Sequence, residues 1–256
     1  MLPQVNLVRA KNGDFLTFYE RAGISGVLTA HGVWDELTIE LAKALLDVTK
    51  IQPVVFDIGA NMGTFAIPVA KHIESRNGVI HAFEPQRIVF YQLCGNTFLN
   101  RVDNILAHKV ALSNARGVKE IEVLNYQQAW NIGSYSFVPG KDLQEKSTKR
   151  EFCNFERLDE FPLDSTISLI KIDVEGMELD VLEGGKNKII ASGYPPILFE
   201  SNDGDPKGEL VIDLLSGLGY QIMGYSDSDR LAQHPCWGGE IALRVENEKL
   251  VIYRIR

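Results

Sequence analysis

The sequence predicts a doubly wound, mostly parallel α/β domain, and three observations carry that expectation. Short apolar runs bounded by turn residues, at 54–56, 79–83, 167–172 and 197–200, alternate with helical patterns, as in a parallel sheet covered on both faces. The first run stops at a glycine loop, Asp57-Ile58-Gly59-Ala60-Asn61-Met62-Gly63, and the second stops at Glu84-Pro85. Ligands of open α/β sheets bind outside the carboxyl ends of the strands, so both stops fall where a ligand site belongs.

Taken in order, residues 34–50 place Leu37, Leu41, Leu45 and Val48 at helical spacing, with Asp35 and Glu36 near the start to complement the helix dipole. Pro53 precedes Val54-Val55-Phe56, a run apolar enough for a strand buried on both faces. A helix is expected over 65–75, after which Asn77-Gly78 turns the chain into the strand Val79-Ile80-His81-Ala82-Phe83. The pattern continues with a helix over 87–99, strands over 105–112 and 167–172, a helix over 178–190, a strand over 197–200 and a helix over 209–218. Residues 220–225, 240–245 and 250–255 read as closing strands. Between Gly117 and Phe161 the pieces 119–124 and 134–138 interrupt the alternation, with no helical pattern between them. They read as an antiparallel insertion beside the sheet's carboxyl edge. The expected organisation is an N-terminal helical extension over 1–50 and a catalytic domain over 51–256 carrying a β-rich insertion at 117–161.

Composition narrows the partners. A formal net charge of −8 opposes binding of a polyanion, because nucleic-acid affinity rests on clustered Lys and Arg. The run holding Lys141, Lys146, Lys149 and Arg150 is interleaved with Asp142 and Glu145 and reads as a solvated loop. Cys94, Cys153 and Cys236 are far apart and form no C-x-x-C pair, which suggests neither a zinc site nor a disulfide framework. No stretch has the length of a membrane span and residues 1–12 lack a signal-type apolar core, so a reduced, cytoplasmic protein without membrane contact is expected. Oligomeric state leaves no mark in the sequence.

The glycine loop discriminates between ligands. Gly59 permits a sharp turn and Gly63 lets the following helix start close to the sheet. The middle position of a dinucleotide fingerprint, where backbone must approach pyrophosphate, is Asn61, which opposes NAD. S-adenosylmethionine has no phosphates; its binding needs acceptors for an ammonium group and for ribose hydroxyls. Glu84 lies roughly 20 residues past the loop, where a carboxylate can accept from both ribose hydroxyls.

Val55-Phe56-Asp57-Ile58-Gly59-Ala60-Asn61-Met62-Gly63-Thr64, Ala82-Phe83-Glu84-Pro85, Val110-Ala111-Leu112-Ser113-Asn114 and Ile170-Lys171-Ile172-Asp173-Val174-Glu175-Gly176, followed by Glu183-Gly184-Gly185, resemble the FkbM-type S-adenosylmethionine-dependent methyltransferases. The likeness runs from about Gly32 to Tyr225. It implies a class I methyltransferase fold and O-methylation of sugars, polyketides or related natural products. It further implies that Gly59, Asn61 and Gly63 line the methionine part, that Glu84 holds the ribose, that Ala111 and Leu112 lie near the adenine, and that Asp57 belongs with the cofactor-binding residues. Glu36 is implied to reach the cofactor from the upstream helix. Asn131-Ile132-Gly133-Ser134 resembles a family turn beside the acceptor pocket.

For the chemistry, methyl transfer is an in-line displacement in which alignment supplies much of the acceleration. An alcohol acceptor also needs help in losing its proton. Asp173 and Glu175 follow one strand and Glu200 ends the next, so all three should project toward the edge that holds Gly59. Asp173 is expected to face cofactor and acceptor, the rival reading being a helix cap with Glu175 and Glu178 at the helix's positive end. Glu200, with Ser201-Asn202-Asp203, admits Mg²⁺ shared with Asp173, but surface carboxylates far outnumber metal sites and no metal is favoured. His234, ahead of Pro235-Cys236-Trp237-Gly238-Gly239, is a candidate base on a closing loop. The expected activity is O-methylation of a small hydroxylated acceptor. The rivals are a methyltransferase acting on RNA or protein, an NAD-dependent oxidoreductase, and a nucleoside-binding module without turnover.

Overall fold

The chain opens with a hairpin, β1 (Val5–Ala10) and β2 (Gly13–Phe18), followed by helices α1 (Gly23–His31) and α2 (Glu36–Val48). Strand and helix then alternate through β3 (Val54–Ile58), α3 (Ala66–Ile73), β4 (Val79–Phe83), α4 (Arg87–Leu99) and β5 (Ile105–His108). β6 (Ala111–Leu112), β7 (Gly117–Leu124) and β8 (Lys146–Glu156) leave the pattern, which resumes with β9 (Leu169–Ile172), α5 (Glu178–Ala191), β10 (Ile197–Glu200) and α6 (Pro206–Gly217). β11 (Gln221–Gly224), β12 (Asp229–Gln233), β13 (Ile241–Glu246) and β14 (Lys249–Arg254) end the chain. This computed structural model describes residues 4–18, 23–126, 132–133, 135–136, 146–201, 204–238, 241–246 and 249–254.

The central sheet has seven strands in the order β11-β12-β10-β9-β3-β4-β5. β3, β4, β5, β9 and β10 are parallel to their neighbours in that group, whereas β12 is antiparallel to both β10 and β11. The chain leaves β3 toward β4 on one side and returns to β9 on the other, so the switch point lies at β3. Alternating residues of a strand point to opposite faces, and β3 is buried throughout, so both faces must be apolar. Val55 packs with Leu41 and Leu45 of α2 and with α3, while Val54 and Phe56 pack with Val181, Leu182 and Ile189 of α5. Doubly wound architecture follows from those two apolar layers.

Several elements differ from the sequence reading. The N-terminal extension is not wholly helical: its hairpin is docked on α4 by Asn96, whose Oδ1 accepts from Leu16 N–H at 2.7 Å, and by Asn100, whose Oδ1 accepts from Asp14 N–H at 3.0 Å. Those anchors lie far away in sequence, so local pattern carries no trace of them. The strand expected over 105–112 divides after His108, because Ala111 and Leu112 pair with Phe155 and Glu156 of β8 instead of with β4. β7 and β8 make the expected antiparallel insertion, with a bulge between Glu122 and Leu124. Of the strand expected over 134–138, Tyr135 and Ser136 lie outside any strand and the other three residues lie outside the described set.

At the C-terminal end the expected closing strands are corrected. β11 joins the sheet, but among the described residues β13 and β14 pair only with each other, and the remaining sheet position is taken by β12. β12 was hidden because Arg230 and Gln233 break its apolar pattern, although both are buried. Their polar groups are used internally: Arg230 donates to Ser226 O at 3.1 Å, and Gln233 exchanges hydrogen bonds with Ile241 N–H and C=O at 3.1 and 2.9 Å. Among the described residues, no helix is long and apolar enough to cross a membrane.

Candidate functional site

The site begins where β3 and β9 end. Gly59 sits at φ +84°, and a Cβ there would stand 1.8 Å from the Asp173 carbonyl oxygen. The loops after β3 and β9 therefore meet backbone to backbone, a contact that only glycine allows. Asp173 N–H donates to Ile58 O at 2.9 Å, and Gly59 and Ala60 N–H donate to Phe83 O at 3.0 and 2.9 Å, tying the ends of three strands together. Asn61 takes a left-handed conformation, φ 49°, which Asn tolerates better than most residues. Its Oδ1 accepts from Met62 N–H at 2.8 Å and its Nδ2 donates to Gly133 O at 3.4 Å. Ile132 and Gly133 of the expected turn thus meet the glycine loop, while Asn131 and Ser134 lie outside the described residues.

Glu84 follows β4 and is buried. One oxygen accepts from Asn61 N–H at 3.1 Å and the other from Gln86 N–H at 2.8 Å. Burial pushes its carboxyl up to about 7, against the pull of those two N–H groups.

These residues border a cavity of about 520 Å³. Its lining includes Gly59, Ala60 and Asn61 after β3, Glu84 after β4, and Ala111 and Leu112 of β6; all but Ala60 are residues expected around a nucleoside ligand. It also includes Trp34, Asp35 and Thr38, Asp173 and Glu175 after β9, Glu200 of β10, and Tyr225 and Asp229 at the turn between β11 and β12. The lone cation in the described lining is Lys171, which sequence reasoning passed over. Its signal was available: Lys171 interrupts Leu169–Ile172, a strand buried on both faces, where an ammonium must find partners. It lies 3.5 Å from Asp57 Oδ1 and donates to Asp173 Oδ2 and Gly59 O, each at 3.3 Å. Burial alone would lower its pKa, but Asp173, Asp57 and Asp35 hold it above the ordinary lysine value.

Asp173 presents a half-exposed side chain to this cavity. The helix-cap reading of Asp173 fails. α5 starts at Glu178, and the Glu178 carboxylate accepts from Val174 N–H at 3.3 Å and Gly176 N–H at 3.1 Å, satisfying the loop in its stead. Glu200 ends β10 on the same cavity wall. Asn202 and Asp203, its expected companions on a metal ion, lie outside the described residues. Among those described, no group of three or more His, Cys, Asp or Glu side chains is placed to hold a metal.

Four expected residues stand elsewhere. Glu36 is exposed and ion-paired with Lys11, and it is Asp35 and Thr38 of the same region that reach the cavity. Thr38 Oγ1 lies 3.0 Å from the Tyr225 hydroxyl. Asp57 is fully buried behind Lys171 and does not line the cavity. Gly63 is not among the described lining residues, and a Cβ there would meet Leu93 of α4 and Ile67 of α3. His234 is at the opposite end of the sheet: Glu200 pairs with Asp229 at the cavity edge, and Ile197 with Ala232 at the far one, beyond which His234 follows. There it stacks on Tyr194, with ring centroids 4.1 Å apart and planes 12° apart.

No other histidine replaces His234. None is among the described lining residues, and His81, pushed down to about 4 by burial first and by His108 second, stays neutral beside it. His234→Ala should therefore lower stability by about 0.5–1.5 kcal/mol, the worth of an aromatic pair, and leave turnover unchanged. Melting and initial-rate measurements on one preparation check this. A variant of unchanged melting temperature but lost activity would return His234 to the site.

Comparison with known proteins fits this geometry. Residues 57–222 match the Methyltransferase FkbM domain model. The 31-O-demethyl-FK506 methyltransferase FkbM of Streptomyces tacrolimicus is 27% identical over 201 residues, covering 68% of this chain and 75% of that protein. A tRNA(Phe) (4-demethylwyosine(37)-C(7)) aminocarboxypropyltransferase of Methanocaldococcus jannaschii is 31% identical over 74 residues, only 29% of each chain. The crystal structure of methyltransferase FkbM from Methylobacillus flagellatus is 19% identical, with a TM-score of 0.47, over 71% of this chain and 44% of that one. This chain thus spans under half the length of two of these three proteins. With its switch-point cavity, its Gly59 and Glu84 geometry and a domain match from Asp57 to Ile222, the protein belongs to the FkbM methyltransferase family.

Proposed function

We propose that the protein transfers the methyl group of S-adenosylmethionine to a hydroxyl of a small acceptor. The observation that carries this reading is one cavity lined across the sheet, by Glu84 after β4 on one side of β3 and by Asp173 after β9 and Glu200 of β10 on the other. On the Glu84 side, a buried carboxylate suits the ribose hydroxyls, and Ala111 and Leu112 offer an apolar wall to the adenine. Gly59, Ala60 and Asn61 suit the methionine part. On the other side, Asp173 and Glu200 are within reach of an acceptor hydroxyl, with Trp34 as an apolar platform. Positioning of the acceptor against the sulfonium methyl supplies most of the rate, and a carboxylate assists as the hydroxyl proton leaves.

The lining supports a small acceptor over RNA. Asp35, Glu84, Asp173, Glu175, Glu200 and Asp229 face Lys171 as the sole described cation, a field that repels phosphates. An RNA acceptor is the second reading, resting on the short match to an enzyme whose name specifies tRNA(Phe). Screening neutral glycosides, polyols and RNA with methyl-labelled S-adenosylmethionine separates the two, and label in RNA alone would reverse the choice. Titration with S-adenosylhomocysteine and with NAD tests the cofactor directly.

The ribose assignment predicts a pH dependence. Ribose hydroxyls donate to the ionised carboxylate, so binding lowers the pKa of Glu84 from its ligand-free value of about 7. Affinity for S-adenosylhomocysteine should rise with pH below 7, by up to about tenfold per unit, and level off above it. In the ligand-free protein the raised pKa has the opposite sense: it favours the folded state at low pH, a contribution lost as pH rises from 4.5 through about 7. Calorimetry across this range on the parent and on Glu84→Gln checks both. A parent profile as flat as that of the variant removes Glu84 from the ribose site.

A further inference from the structure

We propose that Lys171 is a positioning residue for methyl transfer, fixing Asp173 at the cavity wall through a buried Asp57–Lys171–Asp173 chain. The inference rests on the methyl-transfer reading and adds to it the group that orients the acceptor-side carboxylate.

The argument begins with register. Asp57 of β3 is paired with Lys171 of β9, and neighbouring side chains across a parallel ladder share one face of the sheet. Asp57 is fully buried, and neither of its oxygens has a hydrogen-bond partner within usual limits. The Lys171 ammonium, 3.5 Å away, is the charge that faces it. A buried carboxylate without a counter-charge is strongly unfavourable, so Asp57 makes sense as the anchor of Lys171 and not as a ligand-binding group.

Lys171 has three N–H donors and three acceptors around it: Asp57 Oδ1 at 3.5 Å, Gly59 O at 3.3 Å and Asp173 Oδ2 at 3.3 Å. The Phe65 ring lies 5.7 Å from Nζ and closes one side. Two of its hydrogen bonds go to Gly59 O and Asp173 Oδ2, and the Asp57 carboxylate faces it as an ion pair, so its charge is engaged on the protein side. The two ends of the chain differ sharply in exposure. The Asp57 side chain is 0% exposed, that of Lys171 is 11% and that of Asp173 is 48%. Lys171 and Asp173 both line the cavity, and Asp173 is the more exposed of the two. One of its oxygens is held by Lys171, which turns the carboxylate and leaves the other oxygen for the acceptor. Through Gly59 O the same ammonium ties that carboxylate to the loop beneath the methyl donor, so donor and acceptor groups share one reference point. Misplacement of a reacting group by about 1 Å can cost about 10²-fold in rate.

The experiment uses the whole chain. Lys171→Met alone would strand Asp57 and can unfold the protein, so Asp57→Asn/Lys171→Met, which removes both charges, is the working variant. On the parent, S-adenosylhomocysteine binding and transfer to the most active neutral glycoside are measured first; failure there defeats the methyl-transfer reading itself. On the variant, a fall in kcat of about 10²-fold is expected, with affinity for S-adenosylhomocysteine and glycoside KM each within about threefold. In an Asp173→Asn background the same change should cost nothing further, because effects transmitted through one residue are not additive. An unchanged kcat, a loss that multiplies with Asp173→Asn, or lost S-adenosylhomocysteine binding in a folded variant overturns the proposal. Should the pair fail to fold, Lys171→Arg, which keeps the charge without the compact ammonium, is judged on the same criteria. Independently of any acceptor, Asp173→Asn should shift the ¹⁵Nζ resonance of Lys171, and an unmoved resonance overturns the proposed chain.

Discussion

Gly59→Ala should abolish binding of S-adenosylhomocysteine, lowering affinity by at least about 10²-fold, and should destabilise the domain. The added Cβ would meet the Asp173 carbonyl oxygen at 1.8 Å and its carbon at 2.7 Å, both backbone atoms that no rotamer change can move aside. Relief requires the loops after β3 and β9 to part, and with them the hydrogen bond from Asp173 to Ile58 that closes the cavity floor. To this is added the cost of a left-handed alanine at φ +84°, about 1–2 kcal/mol, and overpacking of about 1–3 kcal/mol. Gly193→Ala is the internal control. It shares the positive φ, +78°, but has nothing within 4 Å, so it should show the backbone strain alone and bind normally. Calorimetry and thermal melting on both variants decide the matter. If Gly59→Ala binds like the parent, the cavity is not the cofactor site.

Asp173→Asn should lower kcat by about 10²-fold or more while leaving S-adenosylhomocysteine affinity within a few-fold of the parent. The amide keeps the shape of the side chain, and Lys171 retains Asp57 as its counter-charge, so the fold should survive. What is lost is the charge beside the acceptor, whether it orients the hydroxyl or accepts its proton. Initial rates with the glycoside, read beside a binding titration, separate turnover from affinity. A chelator added to the parent extends the test: activity lost and then restored by Mg²⁺ would route the effect of Asp173 through a metal ion. Normal turnover by Asp173→Asn would move the acceptor-side role to Glu200, which shares the cavity wall; His234, at the other end of the sheet, would gain nothing.

Much of the frame was legible because it is written in local pattern. The helix at Arg87–Leu99 and the strand at Ile197–Glu200 begin and end where periodicity and turn residues place them. The loop from Asp57 to Gly63 and the carboxylate of Glu84 were legible for a related reason: strand ends are fixed by chain order, and strand ends are where such sheets hold ligands. Less legible is where a polar group is spent. The strand Asp229–Gln233 carries two long polar side chains, Arg230 and Gln233, each of which spends polar atoms on backbone groups. Asp57 and Gly63 were grouped with the ligand loop because they flank it, but one is the anchor of a buried lysine and the other stands beside Leu93 and Ile67, not among the described lining residues.

By itself, the sequence determined the doubly wound class and the glycine and carboxylate that border the cavity, since these follow from the order of short-range patterns along the chain. Only the tertiary structure decided which distant groups share the site. It brought Trp34, Asp35, Thr38 and Tyr225 to the cavity, set Lys171 between two carboxylates and sent His234 to the opposite end of the sheet. The physical reason is that strand pairing converts residues far apart in sequence into neighbours, and the antiparallel turn of Asp229–Gln233 reverses which of its ends meets the cavity. No local spacing encodes that reversal.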